Sequence, residues 1–402
     1  MTAPVRVVRI VTRMNIGGPA VHAALLSRRL DPQRFSTRLV VGEPEPEEGD
    51  LSQTLATPVT RVASLRRPLH PVRDLIALGR ILRIIWHDRP HIIHTHLAKA
   101  GALGRLAGWL YNVVGPGRHS GQRAVLIHTF HGHVLDGYFS PRLSRIFITI
   151  ERALARRTDL LVAVSPAIRN ELLELGIGRA EQWRVIRLGL DLEPYAQLPE
   201  PAAGSPVRVG MVGRLVPIKN PSLLLAALDQ LSREQPGRVA RSLIVGDGPL
   251  RSSLQAEAAS RGLQHVVEFT GWRHDVSTVY REVDVVCLTS RNEGTPVSLI
   301  EAMASGRAVI ATDVGGVRDL LGEPDNTPGR FRVTDRGVLV RSDDAGGFAE
   351  ALGALASDGA LRRRLGGAAR AYVVQHFSAD RLIRDVSALY EQAEAGRNGC
   401  AH

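Results

Sequence analysis

Two glutamates, eight positions apart, stand where a strand pattern changes to a helical pattern. Residues 283–288 are an apolar run typical of a buried strand, Glu293 follows in a turn, and Glu301 falls inside the next helix. Thr295 suits the cap of that helix and Pro296 its first position. Ionised carboxylates only accept hydrogen bonds, so the pair favours a ligand that carries hydroxyl groups.

The beginning of the same helix favours an anion. Its free N–H groups and its dipole attract a phosphate, whereas two carboxylates beside a bare phosphate would be costly. A ligand with both phosphate and hydroxyl groups resolves the conflict, and a sugar nucleotide is such a ligand. Taken alone, this stretch fits an ordinary strand, loop and helix with a surface glutamate equally well.

Two cations follow the first strand of the second half, residues 207–212. Arg214 and Lys219 lie in the predicted loop before the next helix, where an arginine fork and a lysine point charge could hold a diphosphate. The alternative is a pair of solvated loop charges. Lysine occurs only twice in this arginine-rich chain, as Lys99 and Lys219, which favours a chemical role for Lys219.

Glycine-containing turns follow several predicted strands. Gly17 and Gly18 lie between the first strand and its helix, where they would let the backbone approach a phosphate. They do not form the GxGxxG fingerprint, which argues against a nicotinamide cofactor. Trp272 and Arg273 follow another predicted strand and could line the binding site of a flat nucleobase. A plain turn with a helix cap at Asp275 explains these residues equally well.

Four histidines lie at the ends of two predicted strands: His94, His96, His131 and His133. Zinc is conceivable there, but no cysteine pair or HExxH spacing accompanies them. Structural hydrogen bonding explains at least two of them. We predict no metal site, and we expect His131, in a glycine-containing turn, to lie nearest the ligand.

The order of elements predicts an α/β protein. Short apolar strands alternate with helical segments through all 402 residues, which indicates doubly wound parallel sheets in two domains. We expect domains at 1–200 and 207–376, a proline-containing linker at 191–206, a loop at 113–123 and a terminal helix at 377–395. No apolar run reaches the roughly 18 residues that span a bilayer. Cys287 and Cys400 imply no disulfide framework, which fits a reducing cytosol.

The positive charge lies in the first half of the chain. Residues 1–205 hold 27 basic and 17 acidic residues, within a formal net charge of +11. Basic surfaces attract nucleic acid, anionic membranes or phosphorylated small molecules. Only 4% of residues are aromatic, few for base stacking, so no nucleic acid partner is expected. The basic helix expected at 141–156 suits a membrane surface, and a plain solvated face is the alternative.

Together these motifs resemble the retaining family-4 glycosyltransferases of the GT-B fold, which have two Rossmann-like domains facing a cleft. The resemblance covers nearly the whole chain and is strongest over 207–320. It rests on Gly213-Arg214-Leu215 with Lys219, on residues 245–249, on the Glu293-x7-Glu301 stretch and on residues 306–316. Arg307 stands where the family usually has proline, and no effect on chemistry is expected.

The resemblance implies a role for each matching position. Arg214 and Lys219 would bind the donor diphosphate as leaving group, Glu301 the ribose hydroxyls, and Glu293 and His131 the transferred sugar. The implied catalytic residues are His131, Glu293, Arg214 and Lys219. The implied donor-binding residues are Gly17, Gly18, Arg214, Lys219, Arg273, Glu293, Gly294, Thr295, Pro296, Val297 and Glu301. No cofactor and no metal ion are implied, since two cations replace Mg²⁺ at the diphosphate.

The resulting hypothesis is a retaining hexosyltransferase that uses an NDP-sugar and acts in the synthesis of cell-envelope polysaccharide. The enzyme would be cytoplasmic and bound peripherally at the inner membrane face. Its acceptor would be lipid-linked or a polysaccharide. The alternatives are transfer to a soluble sugar phosphate or inositol phosphate, a sugar-nucleotide epimerase, and a non-catalytic binder of nucleotide sugars or nucleic acid. The sequence indicates neither the nucleobase, the sugar nor the linkage.

Overall fold

The computed structural model describes residues 3–14, 18–44, 50, 52, 58–119, 122–132, 141–201, 204, 206–273, 275–325 and 328–399. The chain forms two compact units, Met1–Leu190 with Ala379–His402, and Asp191–Ser378. We call them the first and second unit. The predicted linker at 191–206 is placed in the second unit, and it contains a short helix, Glu193–Ala196, because Pro194 suits the first turn of a helix.

The first unit contains a parallel seven-stranded sheet in the order β3-β2-β1-β4-β5-β6-β7. Its strands are rich in β-branched residues, and the central ones are buried on both faces, as expected of a parallel sheet. The strands are β1 Val5–Val11, β2 Phe35–Val41, β3 Thr60–Arg61, β4 Ile92–His96, β5 Val125–Phe130, β6 Leu160–Ala163 and β7 Trp183–Val185.

The described helices of this unit connect these strands. They are α1 Gly18–Arg29, α2 Pro71–Asp88, α3 Ala98–Val114, α4 Pro141–Ala155 and α5 Pro166–Glu174. The predicted loop at 113–123 is wrong at its beginning, because α3 continues to Val114 and a 3₁₀ turn follows at Pro116–Arg118. Ser165 caps α5 by accepting a hydrogen bond from the Ile168 amide.

The terminal helix belongs to the first unit. This helix, numbered α14 in the chain, spans Ala379–Gly399 and packs Leu382, Val386 and Tyr390 against the sheet core. The Tyr390 hydroxyl accepts a 3.1 Å hydrogen bond from the buried Arg9 guanidinium on β1. The chain therefore returns to its first sheet after completing the second unit.

The second unit contains a sheet in the order β10-β9-β8-β11-β12-β14-β13. The sheet is parallel except for β13, which pairs antiparallel with β14. The sequence analysis missed β13 because three residues at a sheet edge carry too little pattern. The strands are β8 Val207–Val212, β9 Val239–Val245, β10 Val267–Gly271, β11 Val285–Leu288, β12 Ala308–Thr312, β13 Phe331–Val333 and β14 Val338–Val340.

The helices of the second unit flank this sheet and bury a continuous apolar core of leucine, valine and alanine. They are α6 Glu193–Ala196, α7 Pro221–Glu234, α8 Arg251–Ser260, α9 Val276–Glu282, α10 Val297–Ala304, α11 Val317–Leu321, α12 Ala345–Ser357 and α13 Gly359–Phe377. Arg307 is almost fully buried and donates a 2.8 Å hydrogen bond to the carbonyl of Pro199, which is a structural role.

Three residues of the sequence analysis, Gly17, His133 and Cys400, lie outside the described residues. Cys287 is buried as a free thiol on β11. Among the described helices, none combines the length and the apolar composition that a membrane crossing requires.

Candidate functional site

The predicted site residues of the second unit lie where its strand order reverses. Strands β8 and β11 are parallel neighbours in the middle of the sheet, and the chain leaves them in opposite directions. Their carboxyl ends therefore meet at one edge, the place where open α/β sheets bind ligands. The loop with Arg214 and Lys219 follows β8, and the loop with Glu293 follows β11.

The structure brings Lys219 and Glu293 into direct contact. The Lys219 ammonium donates a 2.5 Å hydrogen bond to Glu293 Oε1. The Ser290 hydroxyl donates a second one, of 2.6 Å, to the same oxygen. The Glu293 side chain is only 9% exposed, so both contacts fix its orientation. Since both donors use Oε1, the other carboxylate oxygen keeps its capacity to accept hydrogen bonds from a ligand.

Backbone contacts hold the two loops together. The Thr289 hydroxyl donates to the Lys219 carbonyl at 2.8 Å, and the Arg291 amide donates to the Ile218 carbonyl at 2.8 Å. Asn220 ends the Lys219 turn in the left-handed region, with φ of 46°. The half-buried Arg214 differs from Lys219, because its guanidinium has no partner among the residues that the structure describes.

A third loop supports the backbone of Glu293. The Gly316 amide donates a 3.1 Å hydrogen bond to the Glu293 carbonyl. Gly315 has φ of 49°, and a Cβ atom there would lie 2.0 Å from that carbonyl oxygen. Only glycine fits this close approach, which explains the glycine at position 315.

Helix α10 begins one residue later than the sequence predicted. It begins at Val297, Pro296 takes the cap position with extended backbone, and no side chain caps the helix. The prediction that Thr295 caps this helix and Pro296 occupies its first position is therefore wrong. The Thr295 hydroxyl is buried without a hydrogen-bond partner among the described residues. The amides of Gly294, Thr295 and Val297 also have no acceptor there, so this segment presents unpaired donors.

Glycines pack the neighbouring loops against each other. Gly246 has φ of 134°, and a Cβ atom there would lie 2.0 Å from the Gly213 carbonyl oxygen. Its amide donates to the carbonyl of Gly271 at the end of β10.

The Arg273 guanidinium contacts α9, with Thr278 Oγ1 at 2.8 Å and Glu282 Oε1 at 2.9 Å. Asp275 caps α9 by accepting from the Thr278 amide, as predicted.

Glu301 is held by two tyrosines that the sequence analysis did not identify. Oε1 accepts a 3.1 Å hydrogen bond from Tyr195, and Oε2 lies 2.9 Å from the Tyr280 hydroxyl. Burial raises the pKa of Glu301 to about 7, although both tyrosine hydroxyls oppose the rise. Tyr280 also lies 3.0 Å from the Ser298 carbonyl, to which its proton can turn when Glu301 is protonated. Glu301 is thus poised to change its charge near neutral pH.

In the first unit, Gly18 begins α1, and His131 directly follows β5. His131 Nε2 lies 3.0 Å from His96 Nδ1, and the two rings share a proton. Burial lowers the pKa of His131 to about 3, so the ring is neutral at physiological pH. His94 has a structural role, since its two ring nitrogens contact the hydroxyls of Tyr390 and Thr129 at 2.7 Å each.

Within the described residues, one group of side chains could hold a metal ion: His22, His96 and His131. The sequence analysis missed His22, because it lies on a helix rather than at a strand end. Burial, the largest effect, lowers the pKa values of His22 and His96 well below the usual range, so all three rings are neutral. The predicted absence of a metal requirement stays a prediction.

Comparisons with known proteins identify the family. Residues 17–189 match the model of the "Glycosyl transferase 4-like domain", and residues 206–358 match "Glycosyl transferases group 1". A D-inositol 3-phosphate glycosyltransferase of Nocardia farcinica is 32% identical over 77% of this chain and 68% of that protein. The chain belongs to the family-4 glycosyltransferases of the GT-B fold.

Other similar proteins share the family or the fold of this chain. A UDP-Gal:alpha-D-GlcNAc-diphosphoundecaprenol alpha-1,3-galactosyltransferase of Escherichia coli is 27% identical over 67% of this chain and 70% of its own. The crystal structure of Anabaena HepE with UDP and glucose has a TM-score of 0.75 at 21% identity, covering 96% of this chain and 100% of that one. A sucrose-phosphate synthase from Thermosynechococcus elongatus reaches 0.78 at 20% identity, covering 97% and 100%. These structures support the fold.

Three residues of the candidate site differ in how far the sequence alone could have identified them. Ser290 follows the end of β11 and precedes Glu293 by three residues, so a search for polar residues at strand ends would have found it. Tyr195 and Tyr280 lie 106 and 21 residues from Glu301. No short motif connects them, and only the packing of α6 and α9 beside α10 brings them together.

Proposed function

We propose that this glycosyltransferase moves a hexosyl group from an NDP-sugar to a lipid-linked or polysaccharide acceptor of the cell envelope, with retention of anomeric configuration. The contact between Lys219 and Glu293 carries the proposal, together with Arg214 in the Lys219 loop, whose guanidinium has no partner among the described residues. Two cations suit a diphosphate leaving group. Glu293 and the free amides from Gly294 to Val297 suit the hydroxyl and phosphate oxygens of the donor.

The same two cations support transfer without a divalent metal or other cofactor. A nucleoside diphosphate leaves with negative charge, which either Mg²⁺ or fixed protein cations can stabilise. Arg214 and Lys219 supply that charge from one loop, between β8 and α7. Glu301 is a ribose ligand in this proposal, and it would bind the ribose hydroxyls best when ionised.

Two exposed apolar surfaces of the first unit support a membrane-bound acceptor. On α4, Ile146 and Ile150 are 55% and 43% exposed and share one face, with Arg142 and Arg145 exposed beside them. On α2, Val72 and Leu75 are more than 60% exposed. Exposed aliphatic groups flanked by arginines fit an interfacial helix on an anionic lipid surface. We propose peripheral binding at the cytoplasmic membrane face.

The alternative acceptor is a soluble phosphorylated sugar or inositol. Its support is the similarity to several proteins named D-inositol 3-phosphate glycosyltransferase. The excess of arginine in the first unit would attract a phosphorylated acceptor as readily as a lipid surface. Acceptor assays with both compound classes are therefore required.

The donor is tested with UDP-, GDP- and ADP-sugars in metal-free buffer, by thermal shift and turnover, on wild type and Lys219→Ala. Ligand binding raises apparent stability by mass action, so the donor should stabilise the wild type and lose most of its effect in the variant. No stabilisation by any nucleotide sugar, or equal stabilisation of both proteins, would reject the diphosphate site.

The acceptor class is tested by sedimentation with anionic and neutral vesicles. The double variant Ile146→Ser with Ile150→Ser should lose vesicle binding and transfer to lipid-linked acceptors. The matched control is Val374→Ser, which changes a 41% exposed valine on α13 of the second unit. Equal binding of wild type and double variant, with turnover on soluble inositol phosphate, would favour the second acceptor.

A further inference from the structure

Three histidines of the first unit converge from separate elements. His22 lies on α1, His96 ends β4, and His131 follows β5. One ring nitrogen of each lies within 4.8 Å of the others. His22 is 2% exposed, His96 is fully buried and His131 is partly exposed.

The hydrogen bonding of these rings is incomplete. Nδ1 of His22, Nε2 of His96 and Nδ1 of His131 are buried without a partner among the described residues. His94 packs against His96 with ring centroids 4.3 Å apart, yet both of its nitrogens contact hydroxyl groups. The nitrogens that face each other, His96 Nδ1 and His131 Nε2, contact each other at 3.0 Å, and a bound ion would replace this contact while each ring keeps its proton on its other nitrogen.

We propose that His22, His96 and His131 form a binding site for a divalent transition metal ion of the zinc class. Zn–N bonds of about 2.0–2.1 Å place two ligands of a tetrahedral ion about 3.3 Å apart. His96 Nδ1 and His131 Nε2 are already 3.0 Å apart. One His22 nitrogen lies within 4.8 Å of a nitrogen of each of these rings, so His22 would be the third ligand, and water would take the fourth position.

The chemistry of the site selects the ion and limits its affinity. Imidazole nitrogens prefer zinc, cobalt or nickel over the oxygen-seeking Mg²⁺, so this site is separate from any metal at the diphosphate. The charges of Arg9 and Arg381 act on His22 and repel a cation, so we expect weaker binding than in structural zinc sites.

The test is a titration of the full-length, untagged, metal-free protein with Co²⁺. Four-coordinate Co²⁺ gives visible absorption bands much stronger than those of the hydrated ion. We expect one saturable site per chain, release of Co²⁺ by Zn²⁺, and loss of the bands in His22→Gln and His96→Gln. The controls are His128→Gln, a buried histidine outside the group, and His265→Gln, an exposed one; both should keep the bands.

Absent bands in the folded wild type, or bands that persist in folded His22→Gln, would overturn the proposal. Circular dichroism establishes whether the variants fold. Should they not fold, X-ray absorption of the zinc-loaded wild type decides: three imidazole nitrogens around zinc support the site, and a shell of oxygen alone rejects it.

A bound ion has one consequence that rests on the proposed function. If His131 contacts the donor sugar, Zn²⁺ should slow turnover by competing with the donor, and a chelator should restore it. Half-inhibition should occur near the zinc dissociation constant obtained from the Co²⁺ competition, once that constant is corrected for the competing donor. The Co²⁺ bands report binding without turnover, so a missing metal site and a missing transferase activity give different results.

Discussion

The Lys219 ammonium lies 2.5 Å from Oε1 of Glu293, although 74 positions separate the two residues. The contact joins the loops after two adjacent parallel strands, where a ligand would meet both. It also neutralises a carboxylate that would otherwise repel a phosphate. The two charges therefore act together, and removing either should affect more than its own contact.

Lys219→Ala should abolish donor binding while leaving the protein folded. It removes a diphosphate cation and leaves Glu293 with Ser290 alone as a partner on Oε1. We expect turnover to fall on the order of 10²-fold or more. Steady-state kinetics and donor-induced thermal shift measure the loss.

The matched control for this variant is Lys99→Ala, which removes the only other lysine of the chain. Lys99 lies on α3 of the first unit and donates a 2.7 Å hydrogen bond to Asp74. It should lower stability slightly and keep the donor shift. A donor shift that survives in Lys219→Ala would remove Lys219 from the site.

Ser290→Ala should impair catalysis more than stability. The serine hydroxyl orients the Glu293 carboxylate at 2.6 Å, and hydrogen bonds to charged groups contribute about 1.5–3 kcal/mol. We expect a ten- to hundredfold lower kcat/KM with a small change in melting temperature. Ser305→Ala is the comparison, because its buried hydroxyl contacts only the backbone carbonyl of Glu301. Equal losses in both variants would show that Ser290 has no specific role.

Donor affinity should depend on pH through Glu301. Its pKa is raised to about 7 by burial, so the carboxylate is protonated below that value and ionised above it. Because the ionised form accepts ribose hydroxyls better, affinity should rise as the pH increases through about 7 and level off above. Titration calorimetry from pH 5.5 to 8.5 measures this curve, and Glu301→Gln should flatten it.

Tyr195→Phe should move the midpoint of that curve to higher pH, because the Tyr195 hydrogen bond lowers the pKa of Glu301 in the wild type and its removal raises that pKa. Tyr372→Phe, whose hydroxyl contacts the Asp319 carbonyl, should leave it unchanged. The pKa of Glu301 affects protein stability in the opposite direction to donor affinity. The folded-state pKa of Glu301 lies above its unfolded value. The contribution of the protonated Glu301 carboxyl to the free energy of unfolding is therefore full below pH 4.5 and is lost as the pH rises through about 7. A midpoint indifferent to Tyr195→Phe would contradict this account.

Gly315→Ala should damage both stability and turnover. The new Cβ atom would lie 2.0 Å from the Glu293 carbonyl oxygen, at a residue with φ of 49°. We expect a loss of about 1–3 kcal/mol in the free energy of unfolding and a displaced Glu293. Gly367→Ala is the control, because nothing lies within 4 Å of its added Cβ on α13 and alanine favours helices. A melting temperature of Gly315→Ala equal to that of wild type would refute the steric argument.

The sequence by itself determined the alternation of elements, the doubly wound fold and the loop positions of Arg214, Lys219 and Glu293. Buried parallel strands are short apolar runs, and the residues that follow them are ordered by the sheet, so local pattern is enough. The same local signals supported the cap at Asp275. They placed the beginning of α10 one residue too early, because Thr295 and Pro296 suit two adjacent cap positions equally well.

Only the tertiary structure decided which side chains meet. The contact of Tyr195 and Tyr280 with Glu301 depends on the packing of three helices. The group of His22, His96 and His131 depends on a helix crossing two strand ends. Such contacts join residues far apart in the chain, where no periodicity relates their positions. Burial, which moves the pKa of Glu301 upward and that of His131 downward, is likewise a property of the folded core.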